Sequence, residues 1–188
     1  MKQARLTKPA LAALQKLLPI NGDFGALCPW ADTVKFRYRW SSSLHFINTP
    51  ERLCSYSYAR DCKDRGGVNG NCLEGAINNY TTQLNLKKTP QYNLTEALLF
   101  LSHFIGDIHQ VWDTDIITSA QGKGAYATTL DGYATESIKA ACEWAYKGVQ
   151  IGSVLGDEYF KTRLPIVEMR IAQAGIRLAA TLNRILAG

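Results

Sequence analysis

Two of the chain's three histidines and a carboxylate fall within the ten residues Leu101-Ser-His-Phe-Ile-Gly-Asp-Ile-His-Gln110, where His103 and Asp107 stand one helical turn apart. An i, i+4 pair points both side chains the same way, the spacing by which one helix supplies two ligands to a metal. The surroundings are apolar: Ala97, Leu98, Leu99, Phe100, Leu101, Phe104, Ile105 and Ile108 ring nearly the whole circumference of a helix expected over 95–110. Such a helix belongs at the buried centre of a fold. An imidazole and a carboxylate buried there cost free energy unless each has a partner. With Asp32 and His45 they make an oxygen/nitrogen set of the kind zinc accepts. The same spacing also serves a His–Asp couple that only hydrogen-bonds and orients packing. His109, six residues from His103, is expected on another face.

The elements that must position these groups read as helices joined by irregular chain. Thr7 and Pro9 mark a helix start, and Leu11, Leu14 and Leu18 repeat at helical spacing until Pro19 ends the pattern. Residues 21–70 are rich in turns and in aromatic side chains (Trp30, Phe36, Tyr38, Trp40, Phe46, Tyr56, Tyr58), which predicts loops and short helices carrying Asp32 and His45. Cys72, Ala76, Ile77, Tyr80 and Leu84 predict a helix over 71–84, and a short one follows over 138–146. Towards the C-terminus Leu164, Val167, Ile171, Leu178, Leu182 and Ile185 share one face of a long amphipathic helix, with Arg163, Arg170, Arg177 and Arg184 on another. A stripe of this kind is ordinarily a solvated face, with contact to nucleic acid as the alternative. The expected class is mainly α, a single domain over 1–188 with long irregular loops.

Composition narrows the function classes. With 188 residues, 46% of them hydrophobic, the chain can bury one substantial core, and no stretch reads as a linker. A net charge of +5 suits a phosphate-bearing partner but is also ordinary solubility chemistry. No apolar run reaches membrane-spanning length, which excludes a membrane partner of that kind. The five cysteines, Cys28, Cys54, Cys62, Cys72 and Cys142, lack the paired spacing of a zinc ribbon, so disulfides are expected, with one cysteine left over. Two glycosylation sequons, Asn79-Tyr-Thr and Asn93-Leu-Thr, fit a secretory history, whereas the stretch Met1-Lys-Gln-Ala-Arg-Leu-Thr-Lys-Pro9 has no apolar core of the kind a signal peptide needs.

Several longer strings resemble one family. They are Leu17-Leu-Pro19, Cys28-Pro-Trp-Ala-Asp32, Leu44-His-Phe-Ile-Asn-Thr-Pro50, Asn71-Cys72, Ala76-Ile-Asn-Asn-Tyr-Thr81 and the whole of Glu96 to Gln110. The resemblance continues in Val111-Trp-Asp113, Tyr159-Phe160, Arg163-Leu-Pro-Ile-Val167 and Gly175-Ile-Arg-Leu-Ala-Ala-Thr-Leu-Asn-Arg-Ile185. Together they are similar to the zinc-dependent plant class I (bifunctional) nucleases and the fungal nucleases S1 and P1, which share a fold with bacterial zinc phospholipase C. The resemblance implies a helical domain with three zinc ions in a cleft. It implies hydrolysis of phosphodiester bonds in single-stranded DNA and RNA, with 3'-nucleotidase activity in the family. It further implies a monomer, secreted or vacuolar.

On the family's pattern, one zinc site falls on Asp32, His45, His103 and Asp107, with Asp107 as the carboxylate bridging to a second zinc and Asp113 as the Asp of the remaining site. The resemblance also implies disulfides Cys54–Cys142 and Cys62–Cys72, an unpaired Cys28, and glycans on Asn79 and Asn93. Asn48 stands where some relatives have an Asp that orients the attacking water.

The departures carry an expectation of their own. The family's N-terminal Trp-Gly…Gly-His segment has no counterpart here, and Gln110 runs straight into Val111, where relatives have a stretch with further histidine ligands. A piece after Ala120, before Tyr133-Ala-Thr-Glu-Ser137, is shortened as well. The resulting reading is a nuclease domain truncated at the N-terminus, with internal deletions near 110/111 and after 120. One zinc site has all its ligands, and activity is impaired. The alternative is a non-catalytic remnant that binds a single zinc or nucleic acid.

Overall fold

Helices form all the regular elements among the described residues of the computed structural model, which are 5–20, 22–50, 53–85, 92–110 and 129–187. In chain order they are α1 (Lys8–Leu17), α2 (Phe24–Leu27), α3 (Trp30–Val34), a 3-10 helix (Arg39–His45), α4 (Tyr58–Asp61), α5 (Leu73–Asn85), α6 (Leu94–Asp107), α7 (Leu130–Ala140) leading into a π turn (Ala141–Ala145), and α8 (Asp157–Leu186). A lone bridge between Lys63 and Asn69 is the extent of β pairing among these residues. The mainly α class expected from the periodicity is what the chain adopts.

The apolar helix is the axis of the fold. Asn93 caps α6 by accepting the Glu96 N–H (3.2 Å), and Leu98, Leu101 and Phe104 are fully buried. α5 and α8 pack against α6, and α1 closes the remaining side by packing on α8 and α6. Two polar ties fix α1. Thr95 Oγ1 donates to the Leu17 carbonyl at 2.6 Å, and Asn183 of α8 accepts from Thr7 N–H (2.8 Å) while donating to the Arg5 carbonyl (3.0 Å). α5 starts from a loop closed by the Cys62–Cys72 disulfide, and a Cβ at Gly75 would overlap the Gly70 carbonyl. Only glycine lets helix and loop approach so closely. A second disulfide joins Cys54 to Cys142 at the π turn, and Cys28 is unbridged.

Three sequence expectations need correction. α6 stops at Asp107, and the expected continuation to 110 is a tightened turn in which His109 and Gln110 N–H bond the Gly106 and Asp107 carbonyls. The short helix expected over 138–146 begins much earlier, at Leu130, because Thr129 caps it and Tyr133, Ala134, Ser137 and Ile138 form its buried stripe. The arginine stripe is a solvated face only in part: Arg184 is exposed and Arg163 half-buried, but Arg170 and Arg177 are buried, whereas Ile171, assigned to the apolar face, is 62% exposed. The two arginines turn inward because Glu136, Ser137 and His109 lie there to receive them. Among the described residues no helix is long and apolar enough to cross a membrane.

Candidate metal centre

Three short stretches deliver the site. Asp32 sits on α3, whose Ala31 is fully buried and whose Trp30 packs edge-on against Phe100 at 5.1 Å. His45 is the last residue of the 3-10 helix, which is seated by Trp40 against Phe100 (5.7 Å) and by buried Leu44. α6 contributes His103 and Asp107 from its last two turns. Phe104, between them in sequence, meets the rings of both His45 (5.0 Å) and His103 (6.1 Å) edge-on. The aromatic residues of 30–46 therefore hold two ligand-bearing segments against one face of α6.

The donors converge. One donor atom each from Asp32, His45 and His103 lies within 4.8 Å of the others. Asp107 Oδ2 is 3.0 Å from His45 Nδ1 and 3.2 Å from His103 Nε2, and the Asp32 carboxylate oxygens stand 3.8 and 3.6 Å from the same two nitrogens. Asp107 is the buried floor of the group, and Asp32, half exposed, is its rim.

Hydrogen bonding selects the ring form. His103 Nδ1–H donates to the Cys28 carbonyl at 2.9 Å, which leaves the Nε2 lone pair facing the carboxylates. Backbone ties of this kind on the far nitrogen orient histidines that ligate metals. His103 Nε2 has the Asp107 carboxylate, at 3.2 Å, as its near partner, and the second ring nitrogen of His45, Nε2, is buried without a hydrogen-bond partner. Buried polar nitrogens are rarely left so. A converging oxygen/nitrogen donor set of two imidazoles and two carboxylates is of the kind zinc accepts.

The electrostatics agree. Burial opposes the charged form of His103, but the hydrogen bond and charge of Asp107, the Cys28 carbonyl and the charge of Asp32 outweigh it and hold the imidazole above its ordinary pKa. Asp32 is pushed up by burial, yet the hydrogen bond from Lys35 (2.9 Å) and the positive charge of His103, Lys35 and His45 bring it below the usual carboxylate range. Each shift favours positive charge beside these carboxylates.

Next to the cluster, His45, Phe46, Asp107, Gln110 and Ser137 line a small cavity of about 40 Å³. Phe46 and Ile47 are shared with a wider cleft of about 940 Å³, which also has Asn48, Arg65, Cys142 and Tyr146 on its walls. Asn48 thus stands on the cleft beside the cluster. Asp113 lies outside the described residues. His109 is turned into the core, away from the cluster, between Arg177 and Tyr133. Asn79 and Asn93 are both exposed. The sequence reading missed the Cys28 carbonyl, which carries no side-chain signal. It also missed Lys35, whose i, i+3 spacing from Asp32 was visible.

Fold and site define a helical domain with a His/Asp cluster of metal-ligand type on one face of its central helix. The chain matches the S1/P1 Nuclease family over residues 2–111 and 111–187. It is 46% identical to Endonuclease 2 of Arabidopsis thaliana over 250 residues, covering 97% of this chain and 86% of the relative. Endonuclease 1 of the same plant is 40% identical over 92% of this chain and 79% of its own length. Nuclease P1 of Penicillium citrinum is 36% identical over 57% of this chain and 39% of its own. The chain belongs to the S1/P1 nuclease family, and its class of activity is that of an endonuclease.

Proposed function

We propose that this chain hydrolyses phosphodiester bonds of single-stranded DNA and RNA with zinc held by Asp32, His45, His103 and Asp107. The observation that carries this reading is the convergence of two imidazoles on Asp107 Oδ2, with the His103 lone pair fixed by the Cys28 carbonyl. Zinc, when bound, supplies Lewis-acid chemistry that polarises a phosphoryl oxygen and brings the pKa of water to near ~7. The chain's own residues do the rest. Asp107 is the buried negative charge between the histidines, and Asp32 closes the set on the solvent side. The cleft with Phe46, Asn48 and Arg65 admits an unpaired strand, offering an aromatic face to a base and a guanidinium to a phosphate.

We infer one well-held zinc and a slower reaction than in three-zinc relatives, with Asp113 lacking the histidines of its site. Two features support this. The two family segments meet at Val111, and the alignment with Endonuclease 2 runs over 250 residues, more than the 188 of this chain. The two disulfides and the exposed sequon asparagines support passage through an oxidising secretory compartment with glycans at Asn79 and Asn93. Cleavage of a single-stranded oligonucleotide that is lost with chelator and restored by zinc is the expected result. Retained zinc without cleavage would establish the non-catalytic alternative.

A further inference from the structure

Behind the ligands, the end of α6 is gripped by a buried polar network, and we propose that this network is a positioning device for Asp107, in which His109 is an anchor and not a metal ligand. The inference rests on the reading that Asp32, His45, His103 and Asp107 hold zinc. His109 is 3% exposed and both of its nitrogens are engaged. Nδ1–H donates to the Ile105 carbonyl at 2.7 Å, and Nε2 accepts from Arg177 Nη1 at 2.8 Å. A guanidinium has only donors, so the ring is neutral with its proton on Nδ1 and has no lone pair left for a cation.

From there the network spreads over α7 and α8. Arg177 lies over the Tyr133 ring (4.1 Å) and gives Nη2 to both Glu136 oxygens (2.9 and 2.7 Å). Arg170 bonds Glu136 (3.3 Å), Gln173 (2.9 Å) and the Ser137 hydroxyl, and that hydroxyl donates to the Ile108 carbonyl at 2.6 Å. Ile108 and His109 are the two residues that follow Asp107. α7 therefore holds the carbonyl of the first and α8 the ring of the second.

Packing alone gives no reason for this arrangement. Two buried arginines sharing one glutamate carry a desolvation penalty that apolar side chains of similar volume would avoid. Hydrogen bonds supply what apolar packing does not, which is direction. Two fixed points just beyond Asp107 set the azimuth of the last turn of α6, and with it the carboxylate that must meet two imidazoles from different segments. Zinc sites demand placement within about 0.5 Å.

The test uses the whole chain, zinc alone as the probe, and calorimetric titration beside thermal melting. His109→Gln and Ser137→Ala are expected to bind zinc ~10-fold more weakly, the lower end of what losing an outer partner costs. Ser137→Thr restores the hydroxyl and should recover the affinity, which decides the matter even if His109→Gln does not fold. Tyr56→Phe removes a hydrogen bond to Glu74 (2.6 Å) that does not touch the end of α6. It should lower the melting temperature and leave zinc affinity unchanged. Folded Ser137→Ala binding zinc as tightly as the unaltered chain overturns the positioning role alone. No zinc uptake by the unaltered chain overturns the metal-centre reading and this inference together.

Discussion

His103 shows how much of the proposed metal site is made by a single orienting bond. Its Nδ1–H is committed to the Cys28 carbonyl, so its Nε2 is turned to the carboxylates of Asp107 and Asp32, at 3.2 and 3.6 Å. His103→Ala is therefore expected to drop the metal content of dialysed protein from about one zinc per chain to near none, read by elemental analysis. The types and spacing of His103 and Asp107, and the pairing with Asp32 and His45, were legible in the sequence because ligand chemistry resides in side chains. The Cys28 carbonyl was not, since every residue has one and only the fold says which is used. His109 was legible only as facing elsewhere; its partner Arg177 lies 68 positions away. That environment makes a prediction of its own. Burial and the charges of Arg170 and Arg177 outweigh the hydrogen bond to the Ile105 carbonyl and bring His109 down to a pKa of about 3, whereas in the unfolded chain it titrates near ~6.5. Between those values the unfolded state binds a proton that the folded state does not. This residue's contribution is complete above the upper value and is lost as pH falls, by about 1.4 kcal/mol per pH unit across the window. Urea titrations from pH 7 to pH 4 should show that slope, and His109→Gln should flatten it.

At the scale of elements, α6 was the most readable part of the chain, because a helix apolar on nearly every face has only the centre of a fold to occupy. Leu98, at 0% exposure, measures how firmly it is held: Leu98→Ala should cost about 2–5 kcal/mol in urea unfolding, since little around it can close the space. α1 and α5 were equally plain from their periodic apolar residues. α8 was legible as a helix but not in its orientation. Arg170 and Arg177 look like solvent-facing positions until Glu136 and Ser137 of α7 are placed opposite them. Charge normally marks the outer face, and here a buried partner inverted the rule. α7 itself was placed too late in the chain. Its first two turns mix Asp131, Gly132 and Thr135 with the buried residues, which dilutes the helical signal although Thr129 caps it.

For the molecule as a whole, the two disulfides brace different things and should be separable. Cys62–Cys72 closes a loop of sequence separation 10 beside the start of α5, a local restraint on the segment that presents Arg65. Cys54–Cys142 spans a separation of 88 and ties the chain that follows His45 to the π turn after α7, so both of its cysteines stand on the cleft next to the proposed metal centre. Constraint of the unfolded chain grows with the logarithm of the closed loop, which makes the long bridge worth more than the short one by about 2 kcal/mol. Replacing each pair by serines and comparing urea midpoints tests this, with equal losses counting against it. The cleft adds a second readout. Without Cys54–Cys142 the wall bearing Phe46 and Asn48 is no longer fixed to the wall bearing Tyr146. Binding of a single-stranded oligonucleotide should therefore weaken in that variant while zinc content is kept, because Asp32, His45, His103 and Asp107 are seated by the aromatic residues around Phe100 and not by this bridge. The Cys62 and Cys72 double variant should keep zinc as well and lose oligonucleotide affinity only to the extent that Arg65 is freed. A loss of zinc in either variant would show that the disulfides, and not the core of α6, hold the ligands together.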